Sequence, residues 1–222
     1  MKKIFALFVV LFFYNFQVFA KPYFDPKVIS PTMIDPPFEM DSEECSIEIK
    51  AILKMQENAD QKEIENAANE RNLNPSIFLA KIRPEINKEN SPKLYHLLER
   101  VQETSLDVTE NAKNFWKRKR PYILNKNVKA LIEGHDNPSY PSGHTTGSYV
   151  YAHVLGQLFP KERALFIERA EEIAQHRVLV GMHFQEDLKG GRQLALLLAG
   201  ALFENTDFQK DFAAAKKELE KN

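Results

Sequence analysis

Between Leu94 and Phe115 the residues Leu94, Leu98, Val101, Val108, Ala112 and Phe115 recur three, four or seven positions apart. That spacing lines them up on one stripe of an α-helix. Ser91-Pro92 places a capping residue before a proline at the first helical position, an arrangement that starts helices. The pattern predicts one long amphipathic helix ending near Trp116, and Pro121 stops whatever helix remains. Asp41-x-x-Glu44 reads as a capping box for a helix from about 42 to 58. Further helices are predicted from His144 to about Leu158, from Pro160 to about Val178, and from near His183 through Phe203. Thr206-x-x-Gln209 caps a last one, with Phe208, Phe212, Ala215 and Leu219 on one face. No strand alternation of useful length occurs. The expectation is an all-α fold, a single compact multi-helix domain of seven or eight helices over residues 41–222.

The first twenty residues, MKKIFALFVVLFFYNFQVFA, read differently. Two lysines precede an apolar run from Ile4 to Tyr14, and Val18-Phe19-Ala20 ends the stretch. This is the pattern of a secretory signal peptide over 1–20; the apolar run is too short for a bilayer span of about 20 residues. The product expected is bacterial and periplasmic or secreted. Residues 21–40 carry Pro22, Pro26, Pro31, Pro36 and Pro37, so this segment is expected to be extended and laid over the surface. Beyond residue 20 there are 28 basic and 31 acidic residues, a net charge of −3. That balance gives no reason to expect a nucleic-acid polymer as partner. No later apolar run reaches spanning length, which argues against stable membrane insertion. Cys45 is the only cysteine and reads as core, and no Cys/His spacing suggests zinc. No metal and no cofactor is expected.

All eight glycines lie at or after Gly134. The first half therefore reads as scaffold, and the second as the part where backbone bends around something. Three stretches there suit an anion. Lys113 to Arg120 holds five cations in eight residues; arginine offers a planar fork of donors and lysine a point charge. Lys113 and Arg120 are two helical turns apart and so share one side of an element, but Lys117 is nearly on that side too. In Pro141-Ser142-Gly143-His144, Ser142 is a good N-cap, Gly143 leaves room for a ligand, and free N–H groups at a helix start bind anions. In the stretch from His176 to Asp187, Gly181 permits a turn, and His183 and Asp187 are four apart, on one face of a helix. A carboxylate there fixes the imidazole tautomer and leaves the other nitrogen as nucleophile or base; Glu186, three residues on, is the rival partner. Cations, helix-start amides and two histidines make a phosphoryl-transfer set that needs no metal.

Taken together, Lys113-x6-Arg120-Pro121, Pro141-Ser142-Gly143-His144 and Arg177-x5-His183-x3-Asp187 resemble the tripartite signature of the bacterial class A non-specific acid phosphatases. These belong to the PAP2 superfamily, which also includes vanadium haloperoxidases. The likeness runs from about Lys113 to Phe212. It implies that His183 attacks phosphorus to form a phosphohistidine, that Asp187 orients it, and that His144 protonates the leaving group. It implies that Lys113, Arg120, Ser142, Gly143 and Arg177 hold the phosphate oxygens, which singles out Lys113 and Arg120 among their basic neighbours. Small-molecule phosphate monoesters are the implied substrates, and a homo-oligomer is mildly favoured. The alternatives are a PAP2-type phosphatase for lipid or pyrophosphate substrates, or a vanadium-dependent haloperoxidase. Two positions depart from the pattern: His176 stands where serine is usual, and is read as a tolerated replacement, and Pro138 stands where glycine is usual. The segment from Tyr122 to Tyr140 is expected to border the site, with its His135 and Asp136 placed to touch substrate.

Overall fold

The structure, a computed structural model, describes residues 20–221; the signal-peptide reading lies outside the described residues. Among them are nine α-helices and no strand: α1 (Glu43–Glu57), α2 (Gln61–Asn69), α3 (Pro75–Leu79), α4 (Pro92–Trp116), α5 (Pro121–Leu124), α6 (Gly143–Leu158), α7 (Arg163–Leu179), α8 (Gln185–Glu204) and α9 (Thr206–Leu219). The all-α expectation holds. The additional short helices α2, α3 and α5 carry too few turns for periodicity to stand out in the sequence.

Helix α6 is central and packs most extensively on α7 and α8, with α4 on a further side. Val150, Tyr151, Ala152, Val154 and Leu155 are therefore all buried, around most of its circumference, as a helix enclosed by others requires. Helix α4 gives the stripe of Leu94, Leu98, Val101, Val108 and Ala112 to this core. Phe115 lies off it and is exposed. On α9, Phe208 and Ala215 pack against the same cluster. Each large apolar side chain buried in this way contributes about 1.5–3 kcal/mol.

Two local expectations change. The first helix is capped by Ser42, whose Oγ accepts from Cys45 N at 3.1 Å, rather than by Asp41. Pro121 starts the short helix α5, with Arg120 as its N-cap, instead of ending a helix. Helix α4 has already stopped at Trp116, where Lys117 takes a left-handed φ of 52°. From there the chain is extended, and its side chains alternate: Lys117 and Lys119 are exposed while Arg118 and Arg120 are buried. This is the period of two expected of extended backbone.

The proline-rich segment is mostly non-helical, with 3-10 turns at Pro26–Val28 and Pro31–Met33. It buries Tyr23, Ile29 and Ile34 in the main core. Tyr23 N donates to Thr104 Oγ1 of α4 at 2.9 Å, and Phe38 N to Glu186 Oε2 of α8 at 2.7 Å.

Gly181 connects α7 to α8 with φ +76°, and a Cβ there would collide with the Lys129 carbonyl. Both factors demand glycine. Gly181→Ala is expected to cost about 2 kcal/mol or more, lowering the melting temperature by roughly 4–8 °C. Far-UV circular dichroism on heating measures this.

Candidate active site

The C-terminal ends of α4 and α7 and the N-terminal ends of α6 and α8 bring the three sequence stretches together. Beside them lies a cavity of about 670 Å³ whose wall includes Lys113, Arg120, His135, Gly143, His144 and His183. Ser142, Arg177 and Asp187 lie behind this wall and are almost fully buried.

Asp187 is wholly buried. It occupies the third position of α8, and its Oδ2 accepts from Phe184 N at 2.9 Å, closing the helix start. The same oxygen lies 3.1 Å from His183 Nδ1. The expected pair forms, but not by stacking on one helical face: His183 precedes α8, and the carboxylate reaches back to it as part of the helix cap. Ser139 Oγ also donates to Oδ2, and Arg118 Nη1 donates to Oδ1 at 3.0 Å. Burial alone would raise this carboxyl; the His183 and Arg118 contacts and the Ser139 bond hold it down at about 2.

The hydrogen bonds set the His183 tautomer. Nδ1–H donates to ionised Asp187, so Nε2 carries the lone pair, and Arg120 Nη1 stands 3.3 Å from it. Desolvation, with the neighbouring Arg120 and Lys113 charges, lowers the imidazole to about 3 against the opposing pull of Asp187. The ring thus stays neutral at mildly acidic pH.

Lys113 and Arg120 do not share one helical side as spacing suggested, because the chain unwinds between them. Both instead grip the loop before α6. Lys113 Nζ donates to the Pro138 carbonyl and to Ser139 O at 3.1 Å. Arg120 donates from Nε to Asn137 O at 3.0 Å and from Nη2 to Asn137 Oδ1 at 2.7 Å. Burial and the nearby Arg120 charge bring Lys113 down to about 7. Arg177 Nη2 donates to Ala67 O at 2.5 Å, while its buried Nε and Nη1 have no protein partner. Buried donors in that condition are costly unless something else satisfies them.

At the start of α6, Ser142 Oγ accepts from Thr145 N at 3.3 Å and from Thr145 Oγ1 at 2.9 Å, so its own O–H remains to donate. The first-turn N–H groups of Gly143 and His144 have no intrahelical acceptor. His144 Nε2 donates to the carbonyls of Glu70 and Arg71, each at 3.1 Å, which leaves Nδ1 for another partner. Burial, then the Arg177, His183 and His135 charges, hold His144 well below an ordinary imidazole. His135 lines the cavity and is lowered to about 4, mainly by burial and by Arg120. Asp136 is exposed and is not part of the cavity wall, contrary to expectation. Among the described residues, no three His, Cys, Asp or Glu side chains cluster as metal ligands.

Several groups at the site were not singled out from the sequence. Arg118 was one cation among five, and only the extended backbone after Trp116 separates it from Lys117 and Lys119. Ser139 and Asn137 carry no spacing signal. Arg71, Asn72, Leu73 and Asn74 line the cavity, although the glycine-free half had read as scaffold.

The PAP2 superfamily pattern matches residues 104–210, just under half of the chain. The chain is also similar to bacterial acid phosphatases. It is 34% identical over 134 residues to an acid phosphatase of Zymomonas mobilis, covering 59% of this chain and 51% of the relative. To non-specific acid phosphatases of Providencia stuartii and Salmonella typhi it is 33% and 30% identical, covering 61% and 64% of this chain and 57% and 59% of the relatives. The chain thus spans little more than half the length of these relatives. The crystal structure of a bacterial vanadium-dependent iodoperoxidase shares the fold, with a TM-score of 0.58 at 18% identity, over 75% of this chain and 51% of the other. No helix among the described residues is long and apolar enough to cross a membrane.

Arg118→Met would strip Asp187 of its cationic partner. Removing one member of a buried ion pair costs about 3–5 kcal/mol, so urea unfolding at pH 7 is expected to show a loss of that order. A carboxyl held at about 2 contributes stability above its unfolded value of about 3.9, lost as pH falls through the folded one. The gap between wild type and variant should therefore narrow below pH ~4.

Proposed function

We propose that this protein is a periplasmic or secreted acid phosphatase that hydrolyses phosphate monoesters of broad kind through a phosphohistidine. The observation that carries the reading is the lone pair of His183 Nε2, held toward the cavity by the Asp187 bond and flanked by Arg120. An anion bonded to Arg120 would lie against that nitrogen. Lys113, Arg177, Ser142 and the Gly143 amide supply further donors for its oxygens. Such donors neutralise charge on a transferring phosphoryl group, where most of the catalysis of this reaction lies.

In the first step His183 Nε2 forms a bond to phosphorus as the ester P–O bond breaks. His144 gives its proton to the leaving alkoxide. In the second step His144 takes a proton from water, whose oxygen attacks phosphorus; the P–N bond breaks, and phosphate leaves with His183 restored. The lowered pKa of His183 suits an enzyme working in acid, because the nucleophile stays unprotonated there. His144 has the opposite need. In the empty site it is neutral, with its one N–H committed to two carbonyls. A bound phosphoryl group brings negative charge beside the ring and offsets the cationic neighbours that depress it. The proton donor is therefore charged mainly when substrate is present.

His183→Ala is expected to lower kcat on an aryl phosphate by about 10³-fold or more. Wild-type turnover should persist in EDTA. Rapid denaturation in alkali should trap labelled phosphate on His183 of the wild type and none on the variant. Full activity in the variant would sink the reading.

The pH profiles carry a second prediction. The profile of kcat/KM reports free-enzyme groups and that of kcat reports the complex. The basic limb of kcat should lie at higher pH than that of kcat/KM, and His144→Ala should abolish it. Coincident limbs in the wild type would remove His144 from the donor role.

A further inference from the structure

Glu70 follows the last residue of α2 and lies outside every stretch that carries the PAP2 signature. Its carboxylate is nonetheless buried, 2% exposed, and fully engaged. Oε1 accepts from Arg169 Nη1 at 2.8 Å. Oε2 stands 2.7 Å from His176 Nδ1 and 3.4 Å from Arg177 Nη2. Its backbone carbonyl accepts from His144 Nε2 at 3.1 Å, beside the Arg71 carbonyl at the same distance. The Ala67 carbonyl, one turn earlier, takes Arg177 Nη2. The C-terminal carbonyls of a helix lack intrahelical donors, and here they are given to two residues of the candidate site.

We propose that Glu70 is a positioning residue that sets Arg177 and His144 in register with each other. The inference rests on the phosphatase reading in one respect, that Arg177 holds phosphate while His144 serves the leaving group. The two residues come from different helices, α7 and α6, and the end of α2 is the common element both touch. With Nη2 bound to Ala67 and Glu70, the guanidinium of Arg177 keeps Nε and Nη1 free. With Nε2 bound to the Glu70 and Arg71 carbonyls, the imidazole of His144 keeps Nδ1 free. His176 replaces the serine usual in the related signature, and its longer side chain reaches Glu70. The replacement is therefore part of this anchor and not a neutral exchange. Around metal centres, groups that orient a ligand through one hydrogen bond commonly matter by about 10–100-fold, and an orienting bond to Arg177 or His144 acts in the same way.

Glu70→Gln keeps the shape and removes the charge; Glu70→Ala removes the anchor. Two readouts separate positioning from bulk stability. Calorimetric titration with inorganic phosphate reads the Arg177 arm and needs no turnover. The ratio of kcat/KM on glycerol 2-phosphate to that on 2,4-dinitrophenyl phosphate reads the His144 arm, because only the alkyl leaving group needs a proton. Glu70→Gln is expected to weaken phosphate binding about tenfold. Glu70→Ala should in addition lower the alkyl-to-aryl ratio by a similar factor. A folded variant with a reduced melting temperature, unchanged phosphate affinity and an unchanged ratio would overturn the proposal. Should both Glu70 variants fail to fold, His176→Ser removes one partner of the anchor, and unchanged phosphate affinity there would overturn it equally. A wild type that binds phosphate but turns over neither ester would defeat the phosphatase reading. Weakened phosphate binding in Glu70→Gln would still support the positioning of Arg177.

Discussion

One buried carboxylate joins the parts of this molecule that are far apart in sequence. Asp187 accepts from Arg118 of the extended tract, from Ser139 of the loop before α6, from His183, and from the backbone of Phe184. Its own backbone carbonyl takes Ser142 N at 3.0 Å, which fixes the start of α6. An isolated buried carboxylate would be several kcal/mol too costly to remain ionised. The donors that keep it charged are thus also the ties that assemble the site. The His183 tautomer, the entry of α6 and the inward turn of Arg118 all follow from satisfying a single group.

The cations show the complementary condition. Arg118 and Arg169 are balanced by carboxylates. Lys113 and Arg120 meet neutral acceptors, mainly carbonyls of residues 137–139 and of Met182. Arg177 shares Glu70 with two other groups and leaves two donor nitrogens, Nε and Nη1, unpartnered. Positive charge is thus gathered at a depth where water cannot screen it. Such a site is poorly compensated when empty and well matched to a compact anion. The depressed values of Lys113, His135, His144 and His183 express the same condition, since burial and neighbouring cations penalise each further proton.

The three signature stretches were legible in the sequence because their spacing is set by local turns: the cap at Ser142, the left-handed Gly181, the short span from His183 to Asp187. Two pairings nevertheless form by a different route from the one that helical spacing predicts. Spacing puts Lys113 and Arg120 on one helical side, but the chain leaves the helix at Lys117, and a positive φ at lysine leaves no mark on hydrophobic periodicity. Spacing puts His183 on a helix with Asp187, whereas the carboxylate closes the helix start and bends back to the ring. Arg118 was hidden for a related reason. In a tract where nearly every residue is basic, burial depends on whether the backbone is helical or extended, and composition does not tell these apart.

The contribution of the first half was the least legible. Its lack of glycine reflects helix content, and by composition alone it reads as scaffold. Yet α2 ends with its carbonyls on Arg177 and His144, and the following residues form a wall of the cavity. A helix C-terminus serves as a template for cationic and N–H groups because its last carbonyls point outward along the axis. That role depends on where the helix stops and what packs beyond it, not on side-chain pattern. The pairing of His176 with Glu70, 106 residues apart in sequence, becomes visible only when α2 and α7 are packed together. At that point His176 acquires a partner, and the end of α2 is seen to hold Arg177 and His144.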